Sequence, residues 1–335
     1  MSQVDWLNQL LQMITVTGRV EVRCTYGAPW RVAWPQAAAH EIPYHVVLDG
    51  RALIEDSGTG TTTELVGGDI VLLPQGSAHV LHDGSGRTPG RSHDRPSSAG
   101  WTIRENRGRG APLDMLCGRF FVQPPHDRLI RDYLPTNLIV RSADDHVEDR
   151  STSASAHLAG LLDLMRIESA SGKPGGTVVL NAMTSALFAQ VLRVASESEQ
   201  APAGLPALAA DKTLAPAISA MFADPVSPWN LRDLARLCNM SRDTFMRHFQ
   251  SRLGRSAIEL LTDIRMSLAA NELKKPRMTI EAVAACVGYV SVSAFRRVFA
   301  DRMEMKPTQW RRLARDGAHD VSRSARFDLF EQLIE

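Results

Sequence analysis

The last third of this 335-residue chain repeats one pattern. Residues 231–249 read LRDLARLCNMSRDTFMRHF, and residues 280–299 read IEAVAACVGYVSVSAFRRVF. Each copy predicts an apolar helix, a short turn, a serine and a second helix with basic residues. That order is typical of a helix-turn-helix motif, whose second helix enters the major groove of DNA. The repeat therefore predicts an all-α domain, and DNA is its first candidate partner.

The second helix of each copy provides the candidate DNA contacts. A serine at its start can cap the helix, because its hydroxyl oxygen accepts a backbone N–H of the next turn. The exposed positions that follow can reach base edges or phosphates. The predicted contact residues are Ser241, Arg242, Asp243, Thr244 and Arg247 in the first copy, and Ser291, Ser293, Arg296 and Arg297 in the second.

The charge of the chain is divided unequally. The formal net charge is +1, but residues 227–315 contain 17 Lys and Arg against 8 Asp and Glu. That segment has a net charge of +9, and the rest of the chain has a net charge of −8. A basic segment beside an acidic one is typical of a nucleic-acid-binding domain joined to a second domain. A solvated helical face is the alternative interpretation.

The basic segment resembles the AraC/XylS family of bacterial transcription regulators. The residues that match are Gly288, Tyr289, Ser291, Phe295, Arg297, Phe299, Pro307, Trp310, Arg311 and Arg312. The chain departs from the family at Met303-Glu304, where Phe-Gly is usual, and at Ala257 and Ile264, which replace Pro and Trp. The resemblance implies a regulator that binds double-stranded promoter DNA, acts with RNA polymerase and is not an enzyme.

The N-terminal half begins with strands and continues with helices. Strand patterns run from Arg19 to about Phe121, with a hairpin expected at Asp49-Gly50. Residues 84–112 are rich in Gly, Arg, Ser and Pro, which predicts a long mobile loop. Apolar residues at helical spacing after Ser153 predict two helices that form a hairpin on the strand domain, or a dimer interface.

Residues 68–79 have the spacing G-x5-P-x-G-x2-H. This spacing resembles the second conserved motif of cupins, which are small antiparallel β-barrels. The first cupin motif is degenerate, since only His45 stands in its place, and a cupin dioxygenase therefore loses support. The resemblance implies an α+β chain, with an N-terminal cupin-like antiparallel β-barrel and a helical hairpin before an all-α domain of two helix-turn-helix units.

Four residues in this half remain as candidate metal ligands. A cupin fold brings His45 and His79 together inside the barrel, and Cys24 and Cys117 are then available to complete a site. Two imidazoles and two thiolates suit zinc or copper. The alternative is that both histidines only line the barrel, and sequence spacing does not decide between these interpretations.

The order of the two domains resembles AraC/XylS regulators that carry a cupin-6-type sensor. One such regulator responds to reactive chlorine through two cysteines that match Cys24 and Cys117, which implies a redox-sensing activator in a stress response. Because alternate strand residues share a face, we expect Arg119 to lower the pKa of Cys117, and Arg23 not to lower that of Cys24. A barrel that binds a small organic ligand without redox chemistry is the alternative.

We expect five segments along the chain. They are a cupin-like sensor barrel at 1–125, a helical linker or dimerisation segment at 126–200, a linker and lead helix at 201–223, a tandem helix-turn-helix domain at 224–316, and a tail at 317–335. The first helices of the repeat should bury Leu237, Cys238 and Cys286 on their apolar faces. We find no apolar run long enough to cross a membrane and no signal-peptide pattern, so we expect a cytoplasmic protein, with a homodimer as one assembly.

Overall fold

The computed structural model describes residues 5–97, 100–141 and 153–315. Two compact units make up this part of the chain. Leu10–Ala215 forms nearly all of the first unit, and Pro216–Ser251 with the described residues from Arg255 onward forms most of the second. The tail expected at 317–335 lies outside the described residues.

A curled ten-stranded sheet is the centre of the first unit. Its strands are β1 Val16–Gly27, β2 Arg31–Trp34, β3 Glu41–Asp56, β4 Thr62–Val66, β5 Asp69–Leu72, β6 His79–His82, β7 Ser92–Pro96, β8 Thr102–Asn106, β9 Pro112–Val122 and β10 Leu138–Arg141. Their order is β10-β5-β3-β9-β1-β8-β7, and β4, β6 and β2 extend from the second half of β3. The sheet confirms the cupin-like fold, as a half-barrel in which β1 and β8 are parallel and the other pairs are antiparallel.

Helices complete the first unit, where one of them packs on the sheet, and they build the second unit. They are α1 Trp6–Met13, α2 Asp127–Tyr133, α3 Ala154–Ser171, α4 Gly176–Glu197, α5 Leu205–Ala210, α6 Ala215–Ala223, α7 Leu231–Leu237, α8 Arg242–Leu253, α9 Ala257–Lys274, α10 Ile280–Cys286 and α11 Val292–Met303. Residues 307–315 are also helical.

The expected hairpin at Asp49-Gly50 is wrong, because β3 is one strand of 16 residues. Its first half pairs with β9 and β5, and its second half pairs with β4 and β6. Gly50 has a φ of 83°, and a Cβ there would lie 2.2 Å from the carbonyl oxygen of Pro112. The glycine therefore bends a continuous strand at an irregular register instead of reversing the chain.

The expected loop at 84–112 is wrong at β7 and β8, which form an antiparallel hairpin, whereas residues 84–91 and 107–111 have neither helix nor strand. Charged pairs link the two strands. Arg104 contacts Asp94 at 2.6 Å, and Arg95 contacts Glu105 at 3.3 Å. Since polar side chains make these cross-strand pairs, the segment lacks the apolar alternation that predicts a strand.

The predicted helical hairpin is confirmed by α3 and α4, which pack antiparallel around a short turn at residues 172–175. One face of α4 packs on the outer face of the sheet, where Phe188 lies 5.1 Å from Phe120 between ring centroids. Gly18 of β1 lets the helix approach, since a Cβ there would lie 2.4 Å from Thr184 Cγ2.

Our expectation of no membrane-length apolar run needs correction at α4. Among the described residues this one helix has the length and composition to cross a membrane, with 22 residues. A single helix of this kind is weak evidence, because core helices pass the same test, and 44% of its most apolar window is buried against the rest of the chain.

Four phenylalanines form the repeated core of the second unit. Phe245 and Phe249 of α8 are fully buried, as are Phe295 and Phe299 of α11. The ring centroids within each pair lie 5.4 Å and 5.6 Å apart. The i, i+4 spacing places each pair on one helix face, so both copies bury the same stripe.

Two residues expected in this core are exposed. Leu237 is 40% exposed, and Cys286 is exposed while Cys238 is buried. The buried positions of α10 and its end follow an i, i+3, i+4, i+7 stripe at Ile280, Val283, Ala284 and Val287. The position that matches Cys238 is therefore Val287, and Cys286 falls one residue outside the stripe.

The last turns of α8 and α11 differ in their left-handed residue. After α8 this residue is Gly254, with a φ of 77°, and after α11 it is Glu304, with a φ of 53°. Glycine adopts this conformation without a steric penalty, whereas other residues are strained there. The departure from Phe-Gly in the sequence thus leaves local strain at the end of α11.

We expect Glu304→Gly to stabilise α11 by about 1 kcal/mol, because it removes the left-handed strain of a residue with a Cβ. Gly254→Ala is the matched control and should destabilise α8 by a similar amount, since a Cβ at Gly254 meets no atom within 4 Å and only the backbone cost remains. Hydrogen exchange of the α8 and α11 amides measures both changes. Unchanged protection of α11 in Glu304→Gly would contradict the strain.

Candidate nucleic-acid interface and thiol site

The first helix-turn-helix unit consists of α7, a tight turn and α8. Asn239 turns the chain with a φ of 52°. Ser241 then caps α8, because its Oγ accepts the Thr244 backbone N–H at 3.2 Å. The Ser241 hydroxyl also donates to Thr244 Oγ1 at 2.9 Å. Both hydroxyl groups therefore fix the start of the second helix.

The second unit repeats this construction with α10 and α11. Gly288 turns the chain with a φ of 82°, and a Cβ there would lie 2.6 Å from the carbonyl oxygen of Val226. Ser291 Oγ accepts the Ala294 backbone N–H at 3.3 Å. The predicted turn and cap residues are thus in the expected places in both copies.

All nine residues predicted to contact DNA are exposed. Two of the arginines have acidic neighbours, since Arg242 lies 3.6 Å from Asp243 and Arg296 lies 3.2 Å from Glu281. These exposed ion pairs contribute little free energy in water, so a phosphate can replace the carboxylate. Their contacts with DNA stay a prediction.

Cys24 and Cys117 lie side by side in the core of the first unit. Both are fully buried and free. On the paired strands β1 and β9, Cys24 is aligned with Met115 and Cys117 with Val22, so the two thiols are diagonal neighbours on one face. The structure therefore brings together the two cysteines for which the resemblance implies redox sensing.

The two thiols differ in their acidity. A hydrogen bond from the Cys117 thiol lowers the pKa of Cys24, and the Tyr26 hydroxyl adds to this effect. Burial raises the pKa of Cys117 well above its usual range. Cys24 is therefore the thiol of the pair that loses its proton first, and Cys117 is the one that keeps its proton.

The arginine that influences these thiols is not the expected one. Arg119 forms ion pairs with Glu21 at 3.0 Å and Glu41 at 3.4 Å, and the pKa of Cys117 is raised, not lowered. The cation that lowers the pKa of both thiols is Arg104. Arg104 was not predicted to act on the thiols because it lies in residues 84–112, which were predicted to form a loop. Arg23 is bound by Asp114 at 2.7 Å and is not among the main influences on the pKa of Cys24.

His45 and His79 meet inside the half-barrel, with their Nε2 atoms 2.8 Å apart. His79 Nδ1 lies 2.8 Å from the carbonyl oxygen of Ser77, so it carries a proton and donates. His79 Nε2 then accepts from His45 Nε2–H, which leaves His45 Nδ1 as an acceptor. Within the described chain this buried nitrogen has no hydrogen-bond partner.

Burial keeps both imidazoles neutral. It lowers the pKa of His45 well below its usual range and also lowers that of His79. Trp34 covers the pair, stacked on His79 with centroids 6.2 Å apart and edge-on to His45 at 5.1 Å. Its buried Nε1 also has no hydrogen-bond partner within the described residues. Because side chains of the short strand β2 alternate between the two faces, its sequence could have predicted that Trp34 faces this site.

The predicted four-ligand metal site is not assembled. In the described part of the chain no group of three or more His, Cys, Asp or Glu is placed to hold a metal ion. The imidazoles form one hydrogen-bonded pair, and the thiols form another. These residues are not placed as a zinc or copper set of four, and retention of zinc or copper by the purified, reduced protein stays a prediction that elemental analysis tests.

Comparison with known families and proteins agrees with this layout. A family described as Cupin matches residues 5–197, and one described as helix-turn-helix domain matches residues 234–313. The first match covers more than half of the chain.

Three relatives are similar over nearly their whole length. An uncharacterized HTH-type transcriptional regulator of Haemophilus influenzae is 27% identical over 310 residues, which are 92% of this chain and 99% of the relative. The HTH-type transcriptional regulator MtrA of Neisseria gonorrhoeae is 26% identical over 92% of this chain and 98% of its own. The RCS-specific HTH-type transcriptional activator RclR of Escherichia coli is 25% identical over 93% and 99%. The chain therefore belongs to the cupin family through its N-terminal half, and it is an AraC-type transcription regulator with a helix-turn-helix domain at its C-terminal side.

Proposed function

We propose that this regulator is a cytoplasmic activator that responds to oxidants through Cys24 and Cys117. The observation that carries the proposal is the contact between two buried thiols of unequal acidity. RclR, whose name describes it as RCS-specific, adds support from a relative. As an activator, the protein would recruit RNA polymerase to promoter DNA bound by its two helix-turn-helix units.

Hypochlorous acid is an oxidant that suits this pair. The Cys24 thiolate attacks chlorine, hydroxide leaves, and a sulfenyl chloride forms on Cys24. The Cys117 sulfur then displaces chloride and loses its proton, so the two thiols become one disulfide. The two sulfur atoms lose two electrons, and chlorine is reduced to chloride. A disulfide needs Cα atoms about 4.4–6.8 Å apart, and the register shift in β1 beside Val22 offers a place for β1 to adjust.

A regulator that binds a small organic ligand in the half-barrel is the second candidate. The observation that favours it is the pair of buried polar atoms without partners, His45 Nδ1 and Trp34 Nε1. A ligand with a donor and an acceptor would satisfy both atoms. A cupin metalloenzyme fused to a DNA-binding domain has less support, because the relatives are regulators and the candidate ligands are separated into two pairs.

We expect Arg242→Ala and Arg296→Ala each to weaken binding to an operator selected from random DNA. The loss of a base contact should cost about 1–3 kcal/mol and relax one base position. The loss of a phosphate contact should weaken binding to all sequences and reduce the slope of log affinity against log salt concentration by about one. Lys275→Ala, at the residue that follows α9 and outside both second helices, is the control and should bind like the wild type. Unchanged affinity in both arginine variants would show that α8 and α11 do not contact the DNA.

We expect Cys24→Ser and Cys117→Ser each to abolish the response to hypochlorite, because either change removes one sulfur of the pair. The measurement is a reporter fused to the promoters that flank the gene for this protein. Cys286→Ser is the control, since Cys286 is exposed and its loss leaves the pair intact. Full induction in both first variants would reject the redox function and favour the organic ligand.

We also propose that two copies associate through the α3–α4 hairpin. Ile167 and Val178 lie near its turn and are 60% and 73% exposed, which is a patch that a second copy would cover. Ile167→Asp should therefore shift sedimentation from dimer to monomer. Val66→Asp, at an exposed apolar position of β4, should leave the assembly unchanged. A wild-type protein that sediments as a monomer would contradict the proposal.

A further inference from the structure

The β7–β8 hairpin places a cation beside the buried thiols. β8 runs parallel to β1, and the register aligns Arg104 with Cys24. On the next strand, β7, Asp94 is aligned with Arg104. Residues aligned on neighbouring strands share a face of the sheet. Arg104 and Asp94 therefore continue the row that Cys117 and Cys24 begin.

Asp94 holds the guanidinium of Arg104 in one orientation. Arg104 Nε donates to Asp94 Oδ1 at 2.6 Å, and a terminal nitrogen donates to Oδ2 at 2.7 Å. This two-point contact fixes the plane of the guanidinium group. The Arg104 side chain is 29% exposed, whereas Cys24 is fully buried. The row thus runs from the apolar core to the solvent edge of the hairpin.

Groups on four strands of the sheet act on Cys24. Cys117 on β9 and Tyr26 on β1 lie beside Cys24 and lower the pKa of its thiol. Arg104 on β8 stabilises the Cys24 thiolate through its charge, and Asp94 on β7 opposes this with a smaller effect. Arg104 is the only cation among these four groups.

We propose that Arg104 is the positioning residue that makes Cys24 the reactive thiol of the pair. The inference rests on the redox function proposed above and assigns a part in it to the β7–β8 hairpin. The guanidinium, fixed by Asp94, stabilises the charge that develops on the Cys24 sulfur. Because a thiolate is the nucleophile toward an oxidant, the hairpin then sets the rate at which Cys24 reacts.

The test compares three variants of the reduced, full-length protein. Arg104→Gln removes the charge. Arg104→Lys keeps the charge but loses the planar contact with Asp94. Arg95→Gln is the matched control, because Arg95 is the next residue of β7 after Asp94 and faces the other side of the hairpin. Ultraviolet thiolate absorbance against pH, relative to Cys24→Ser, gives the titration of Cys24. Peptide mapping gives the rate at which a neutral reagent alkylates it.

In Arg104→Gln we expect the Cys24 titration to move to higher pH and its alkylation at neutral pH to slow about tenfold, as the loss of a nearby opposite charge requires. Cys24 should titrate at nearly the wild-type pH in Arg104→Lys and at the wild-type pH in Arg95→Gln. Equal titrations in Arg104→Gln and Arg95→Gln would overturn the proposal. So would equal losses in the Gln and Lys variants of Arg104, because charge would then not be the cause. A wild-type protein that titrates as expected but shows no oxidant-dependent transcription would overturn the proposed function alone.

Discussion

The chemistry of the N-terminal unit depends on the burial of Cys24 against Cys117. An ionised thiol is costly in an apolar core, and each thiol alone would stay protonated there. In the pair, the protonated Cys117 thiol can stabilise a charge on the Cys24 sulfur. The register between β1 and β8 also places Arg104 beside Cys24. Two identical side chains thereby differ in acidity, and in the redox function that we propose Cys24 is the nucleophile and Cys117 completes the disulfide.

The bend in β3 places the imidazole pair beside this thiol pair. In its first half, β3 aligns His45 with Cys117 of β9. After Gly50, its second half pairs with β6, whose first residue is His79. The bend thus brings β6, which carries His79, across the concave face to His45. Histidines, thiols and the Arg104–Asp94 ion pair occupy neighbouring strands β6, β3, β9, β1, β8 and β7. This polar row runs from the apolar half-barrel to the solvent edge at Asp94, and the redox function that we propose uses its two thiols.

The parts of this structure with a strong local pattern were predictable from the sequence. The spacing from Gly68 to His79 led to the cupin-like fold and to the meeting of His45 with His79. The repeat led to both helix-turn-helix units. Predictions from local sequence pattern were wrong where the local structure depends on a contact with residues distant in the chain. Gly50 looks like a hairpin turn until the approach of Pro112 is known, and Arg104 looks like a loop residue until β1 pairs with β8. Cys286 was misplaced because it lies one position from the stripe that Val287 continues.

Mass spectrometry of the reduced, full-length protein after a stoichiometric dose of hypochlorite tests the thiol pair most directly. Exposure alone would direct the oxidant to Cys286, which faces solvent, whereas Cys24 and Cys117 are fully buried. The unequal acidity of the buried pair predicts the opposite, an intramolecular disulfide between Cys24 and Cys117 while Cys286 remains a thiol. Oxidised Cys286 with Cys24 and Cys117 both still reduced would contradict a sensor built on these two cysteines.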